Sequence, residues 1–314
     1  MQRNDSIDIL KGFGIILMII AHTCGPNNIL WDFIYTFHMP LFFLVSGYFH
    51  KQEPIALLLK KNIRRLLIPY FVLCVIIVCL SQLRMKHSIM TDINDALNGI
   101  GPGWFLLALF FSKIFFNSIV RYFHNHYLIV STIISLSTSF IVTKFGITTY
   151  FSIYPAFASL FFLSVGYYAQ KKDILNDKTK FKILVILGLI FWSTTLKFGK
   201  VILSLCIFKL SIIDFCGSVG GTIFIYLISL WINNNTNYVR KTLSYFGKYS
   251  LVILFYHSID YCIYIWYLVE PYINNHLILI SFITIVRLFI MYICVSLSIR
   301  SKYCLLLFCI KNVR

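Results

Sequence analysis

Long apolar runs dominate the chain, and short polar segments separate them. The runs are about 16 to 23 residues long, with one longer exception, and a helix needs roughly 20 residues to cross the hydrocarbon core of a bilayer. Strands of a membrane barrel alternate apolar and polar positions instead. The pattern therefore predicts an all-α fold, a polytopic membrane helix bundle. The runs are 9–24, 32–49, 66–83, 103–119, 127–143, 150–169, 181–197, 201–232, 249–268 and 277–299.

The long run at 201–232 is ambiguous, because Lys209 and Asp214 interrupt its first half. It is either two short spans or one span preceded by a partly buried or re-entrant segment. Cytoplasmic loops collect lysine and arginine, and a ten-span arrangement places most of the 28 basic residues on one side. We therefore predict about ten transmembrane helices, both termini cytoplasmic, and 198–214 as the partly buried or re-entrant segment.

Composition agrees with this class. Hydrophobic residues make up 59% of the 314 residues, charged residues 12%, and the mean hydropathy is +0.81. The net charge of +17 lies mostly at the ends of apolar runs, so we predict no nucleic-acid partner. The nine cysteines form no C-x-x-C pair, and we predict no metal site. The expected partner is a lipid bilayer, in the inner (plasma) membrane.

The first apolar run contains a histidine where few ionisable groups are tolerated. Asp8 and Lys11 begin this helix, and His22 lies fourteen residues after Asp8, about 21 Å along the helix axis. His38 occupies a similar depth in the second run. Ionisable groups inside a membrane usually face a cavity. The alternatives are a His22 at the outer interface and a His38 that bonds to a neighbouring carbonyl.

The last two runs contain three further ionisable residues. His257 and Asp260 are three residues apart and share a helix face. Arg287, on the next helix, lies within about 2 Å of the depth of Asp260. Because an unpaired arginine at that depth is costly, we predict an Asp260–Arg287 ion pair. The pair either locks two helices together or takes part in catalysis.

Two further features suggest binding sites. Arg64 and Arg65 abut a predicted span after a basic loop, where they either anchor the helix or hold phosphates of an anionic cofactor through their forked guanidinium groups. Trp104 begins the fourth run. It is either an interfacial belt residue or an aromatic platform for a sugar.

Three segments together resemble a known family. They are Arg3, Asp8 and Lys11-Gly12 with His22; Phe37-His38-Met39-Pro40-Leu41-Phe42-Phe43-Leu44-Val45-Ser46-Gly47-Tyr48; and Arg64-Arg65-Leu66-Leu67-Ile68-Pro69-Tyr70. The chain resembles the acyltransferase 3 family of integral membrane acyltransferases, especially its surface-polysaccharide O-acetyltransferase or fucose 4-O-acetylase-like branch. The resemblance is strong over the first 110 residues and rests chiefly on hydropathy beyond them.

This resemblance implies that residues 1–314 form a single transmembrane acyltransferase domain. Such an enzyme takes an acyl group, usually acetyl, from cytoplasmic acetyl-CoA or another acyl-CoA. It delivers the group to a hydroxyl of a cell-surface glycan or lipid-linked sugar. A histidine suits the role of general base for such a hydroxyl. The expected roles are His22 as base; Arg3, Lys11, Arg64 and Arg65 at the cofactor; His38 and Trp104 at the acceptor; and Asp8, His257, Asp260 and Arg287 in support.

Several alternatives stay open. The charged head of the donor belongs inside, whereas His22 lies near the outside, so either the thiol-bearing arm reaches up the bundle or a tyrosine such as Tyr154 or Tyr167 relays the acyl group. The sequence does not distinguish acetyl from succinyl as the acyl group. It is also compatible with a homo-oligomer. The main rival is a polysaccharide or lipid-linked sugar transporter or flippase, although the sequence has no evident repeats. A glycan polymerase or glycosyltransferase is a further alternative.

Overall fold

The apolar runs form helices. The computed structural model describes residues 5–26, 28–83, 88–147 and 150–310, so Arg3 lies outside the described residues. The helices are α1 (Asp5–Cys24), α2 (Ile29–Tyr35), α3 (His38–Tyr48), α4 (Ile55–Asn62), α5 (Ile68–Leu83), α6 (Ile89–Asn98), α7 (Trp104–Tyr122), α8 (Tyr127–Phe145), α9 (Ile153–Ala158), α10 (Leu160–Lys171), α11 (Lys178–Phe198), α12 (Ile212–Asn235), α13 (Asn237–Lys248), α14 (Ser250–Ile263), α15 (His276–Ser298) and α16 (Lys302–Leu307).

The all-α, polytopic prediction is confirmed, but the spans are more broken than expected. In the described part, eight helical stretches are long and apolar enough to cross a membrane, or nine if the bent pair Ser250–Ile263 and Ile265–Tyr272 is one span. The remaining predicted span, 150–169, consists of the short helices α9 and α10, which meet at Ser159. The hydroxyl of Ser159 donates to the carbonyl of Ala156 at 2.8 Å. A local side-chain bond of this kind accompanies the break between the two helices.

The segment before α12 is a buried hairpin instead of a helix. Strand β1 (Val201–Ile202) pairs antiparallel with β2 (Ile207–Phe208). Leu203, in the turn between them, and Phe208 are almost completely buried. The prediction of a partly buried segment at 198–214 therefore describes it correctly.

Helix α1 lies at the centre of the bundle and packs closely against α13. A Cβ atom on Gly12 would lie only 2.1 Å from the carbonyl oxygen of Leu243, and one on Gly247 would lie 1.7 Å from that of Asp8. Small residues allow membrane helices to approach this closely. α1 also contacts α2, α3, α12, α14 and α15. The buried polar side chains of α1, Ser6 and Asp8, therefore lie among neighbouring helices.

Candidate active site

His22, near the end of α1, contacts a second histidine from α14. The distance from His22 Nδ1 to His257 Nε2 is 2.9 Å, and the two rings lie edge to edge and nearly parallel, with centroids 5.2 Å apart. His257 is completely buried. On its other side, Nδ1 faces Asp260 Oδ2 at 3.9 Å, which is a charge contact and too long for a hydrogen bond. Two histidines and a carboxylate therefore form a row.

Asp260 is fixed by two further groups. The Nε atom of Arg287 lies 2.8 Å from Asp260 Oδ2, so the ion pair expected from the sequence is present. The indole N–H of Trp266 donates to Asp260 Oδ1 at 2.8 Å. Arg287 in turn donates from Nη1 to the hydroxyl of Thr23 at 2.8 Å, and its guanidinium lies 5.2 Å from the centre of the Trp266 ring. The network connects α15 back to α1, one residue from His22.

This arrangement favours one set of tautomers. If His257 carries its proton on Nδ1, toward Asp260, its Nε2 lone pair accepts from His22 Nδ1–H. The other ring nitrogen of His22, Nε2, then keeps a lone pair and can accept a proton. A carboxylate beside an imidazole is a feature of many catalytic bases. Here one histidine is inserted between base and carboxylate, and Asp260 faces His257 across 3.9 Å without a hydrogen bond.

His22 lines two cavities of very different size. The inner cavity offers only about 20 Å³ to water-sized groups. Since one water needs about 10–15 Å³, this is room for one or two of them. The outer cavity offers about 720 Å³. Tyr35 borders both cavities. The inner one is lined by Met18, His22, Tyr35, His38, Met39, Pro102, Trp104, Leu203 and Ser204.

The structure therefore brings His22, His38 and Trp104 together around the inner cavity. His38 Nδ1 lies 3.0 Å from the carbonyl oxygen of Ile34, and it must donate, because a carbonyl only accepts. Both alternatives for His38 thus hold, since it bonds to a neighbouring carbonyl and also lines the cavity. Its Nε2 is left as an acceptor.

The outer cavity is rich in aromatic and polar groups. The Tyr261 ring lies 5.0 Å from that of His22, and Tyr264 donates its hydroxyl to Glu270. His276 completes this rim. The combination of aromatic surfaces with a few polar groups is typical of small-molecule sites.

A separate basic pocket of about 430 Å³ is lined by Arg64 and Arg65 together with Lys61 and Lys302. The two arginines are exposed, and no carboxylate among the described residues forms an ion pair with either of them. Lys302 follows the far end of α15, and Ser298 lies about 16 Å along that helix from Arg287. The basic pocket and His22 are therefore at opposite ends of the bundle.

Other residues singled out from the sequence lie elsewhere. Lys11 Nζ forms an ion pair with Asp8 Oδ1 at 2.7 Å, and Lys11 is not part of the lining of the basic pocket. Tyr154 and Tyr167 line neither cavity beside His22. The Tyr167 ring instead lies 5.7 Å from the ring of His50.

Sequence reasoning missed several residues of the site. Thr23 and Trp266 fix the Asp260–Arg287 pair, and Tyr35 and Tyr261 border His22. Thr23 adjoins His22 in the sequence, which is a usable signal. Trp266 reaches Asp260 only because the chain turns at Tyr264, which adopts a left-handed backbone conformation with φ of 46°. The pattern of apolar residues gives no sign of that turn.

The fold and the site define an integral membrane protein with a buried histidine–histidine–carboxylate row at one end and a basic pocket at the other. A family model described as an acyltransferase domain matches residues 4–299. The chain belongs to this acyltransferase 3 family, and it is a multi-pass membrane acyltransferase. No curated protein and no solved structure matches it significantly.

Proposed function

We propose that this acyltransferase moves an acyl group, in the first place acetyl, from acyl-CoA to a hydroxyl of a cell-surface glycan or lipid-linked sugar. His22 acts as general base. The observation that carries the proposal is the contact of His22 with His257 at 2.9 Å, which orients His22 toward two cavities. The enzyme works in the inner (plasma) membrane.

The chemistry is a simple exchange of bonds. His22 Nε2 takes the proton of the acceptor hydroxyl as its oxygen attacks the thioester carbonyl carbon. The new C–O ester bond forms, the C–S bond breaks, and the proton passes to the departing thiolate to give free CoA thiol. General base catalysis of this kind contributes about 10²–10⁴-fold to rate. The carboxylate of Asp260 favours the positive charge that His22 gains for that moment.

The basic pocket suits the charged part of the donor. CoA carries phosphates, and forked guanidinium groups bind phosphate oxygens with paired hydrogen bonds. Arg64 and Arg65 are exposed and have no carboxylate partner among the described residues, so they are available for this role. The long thiol-bearing arm must then extend from that pocket to the opposite end of the bundle, where His22 lies.

The outer cavity suits the acceptor. A sugar ring has apolar faces and polar edges, and Tyr35, Tyr261 and Glu270 offer both kinds of partner. With about 720 Å³, the cavity has room for a sugar beside His22. A transporter or flippase would also use a polar cavity, but membership of an acyltransferase family favours transfer.

A direct test supplies radiolabelled acetyl-CoA to membranes that contain the wild-type protein, His22→Ala or His126→Ala. His126 is exposed in the loop before α8, so its variant controls for loss of a histidine. We expect His22→Ala to lower the transfer of label to glycan or lipid by about 10²–10⁴-fold, and His126→Ala to behave as wild type. Undiminished transfer by His22→Ala would refute the role of His22. A separately labelled lipid-linked sugar that crosses these membranes without being acylated would favour a transporter.

A further inference from the structure

The inner cavity is bounded on one side by the 201–208 hairpin, which supplies Leu203 and Ser204 to its lining. Leu203 is buried, with 3% of its surface exposed. The opposite walls come from α1 and α3, through Met18 and Met39. His22 therefore faces a small cavity on one side and the wide outer cavity on the other.

The hairpin is firmly held. The buried carboxylate of Asp214 accepts the backbone N–H of Leu210 at 2.8 Å and that of Lys200 at 3.3 Å through the same oxygen. These two residues flank the hairpin, so one carboxylate holds both of its ends. Ser139, on α8, donates its hydroxyl to the carbonyl of Cys206 at 2.8 Å. A turn fixed at both ends and at its tip is a rigid wall.

The position of the Asp214 carboxylate also depends on Gly199, which precedes the hairpin. A Cβ atom on Gly199 would lie 2.1 Å from Asp214 Oδ1, so a side chain at that position would push the carboxylate away. The sequence thus provides the space that the anchoring carboxylate needs. The hairpin is thus held in place by specific contacts, and it positions Leu203 beside the inner cavity.

Size and polarity together restrict what the inner cavity can hold. Its space of about 20 Å³ is close to that of one or two water-sized groups, which excludes a sugar ring. The nine lining residues that the structure describes include no lysine or arginine. A carboxylate placed there would be buried without a cation, which is strongly unfavourable. A short, uncharged group fits both restrictions.

We propose that the inner cavity is the acyl-binding site, that it takes an uncharged acyl group of about the size of acetyl, and that Leu203 and Ser204 set this limit. The proposal rests on the acyl transfer proposed above. His38 and Trp104 then border the acyl group, and the sugar lies in the outer cavity, on the other side of His22. Tyr35 and His22 border both cavities, so the hydroxyl extends from the outer cavity past this shared edge and lies beside both the free Nε2 of His22 and the thioester carbonyl.

The test compares donors of increasing size and charge. Membranes with wild-type protein receive radiolabelled acetyl-CoA, butyryl-CoA or succinyl-CoA, and ester-linked label in the glycan and lipid fractions is measured. We expect wild-type protein to prefer acetyl over either competitor by at least about tenfold. Wild-type protein that uses butyryl or succinyl as well as acetyl would overturn the size limit.

Leu203→Ala enlarges the cavity, and we expect the ratio of butyryl to acetyl transfer to rise by about tenfold. Leu205→Ala is the matched control, because Leu205 lies in the same turn but is 52% exposed and does not line the cavity. Its ratio should equal that of wild type. If Leu203→Ala still transfers acetyl but its ratio of butyryl to acetyl transfer is unchanged, Leu203 does not set the size limit. The proposed acyl transfer itself would not be affected by that result.

Ser204→Leu provides an independent test if Leu203→Ala does not fold. The added side chain fills the cavity, so we expect acetyl transfer to fall by about tenfold or more while the KM for acetyl-CoA stays near its wild-type value. Full acetyl transfer by this variant would overturn the proposal. If wild-type protein transfers no acyl group from any donor, the proposed function itself is wrong. If it transfers acyl groups but shows no size limit, only the proposal for the inner cavity is wrong.

Discussion

The two ends of the bundle hold their polar groups in opposite ways. At one end, His257 and Arg287 are buried, and each contacts another polar side chain. At the other end, Arg64 and Arg65 are exposed and form no ion pair with a carboxylate of the described residues. A base must be held in one orientation, whereas groups that bind a charged ligand must be free to meet it. This difference supports the proposal of catalysis at the first end and donor binding at the second.

The largest expected effect comes from breaking the buried ion pair. Arg287→Met leaves the carboxylate of Asp260 without its cation and should cost about 3–5 kcal/mol of stability. Thermal unfolding in detergent measures the loss. The double variant Asp260→Asn with Arg287→Met removes both charges and should be clearly more stable than the single variant. Equal stability of the two would mean that the pair does not hold this end together.

Removal of Arg64 and Arg65 should weaken the binding of acetyl-CoA and leave the stability of the fold nearly unchanged. The double variant Arg64→Ala with Arg65→Ala loses two charge-assisted contacts and should lower kcat/KM for acetyl-CoA by about a hundredfold, chiefly through KM. Lys241→Ala, which removes an exposed lysine that does not line this pocket, serves as the control. A double variant with unchanged KM would leave the basic pocket without a role in donor binding.

Loss of the second histidine should be milder than loss of the first. His257→Gln removes the group that contacts His22 and should reduce kcat by about 10–100-fold, as is typical when a residue that orients a functional group is replaced, with KM for acetyl-CoA unchanged. The pH dependence of kcat should also shift, because the environment of the base has changed. If kcat and its pH dependence both match wild type, His257 only packs against His22.

The smallest effect is expected at Lys11, which already has a partner in Asp8. Lys11→Ala breaks a partly exposed pair, so kcat/KM should fall by no more than about fivefold. A loss as large as that of the Arg64 and Arg65 double variant would place Lys11 in the donor site after all. Steady-state kinetics with acetyl-CoA distinguishes the two results.

Contacts between neighbouring helices in the sequence were predictable. Asp260 and Arg287 lie on consecutive membrane helices, so a count of residues from the cytoplasmic ends gave their depths and hence their pairing. The apolar runs likewise predicted the helices and the fold class. Depth along a helix follows directly from sequence spacing, which is why this part of the site could be foreseen.

Contacts between distant segments were not predictable in the same way. His22 and His257 are 235 residues apart, and nothing in the hydrophobic pattern says that α1 packs against α14. The break at Ser159 was also hidden, because apolar residues fill this segment as they fill the helices around it. At 198–214 the partly buried segment was predicted, but its two-stranded form was not. Neighbour relations depend on packing details, such as the approach of Gly12 to Leu243.

The most direct test of the two-ended arrangement uses sealed membrane vesicles of both orientations and radiolabelled acetyl-CoA, which does not cross the bilayer. If both termini are cytoplasmic, as the distribution of basic residues predicts, the donor meets the end with Arg64 and Arg65 in inside-out vesicles and the end with His22 in right-side-out vesicles. We expect ester-linked label only in inside-out vesicles, and its loss in His22→Ala. Equal labelling in intact right-side-out vesicles would contradict donor binding at one end and catalysis at the other.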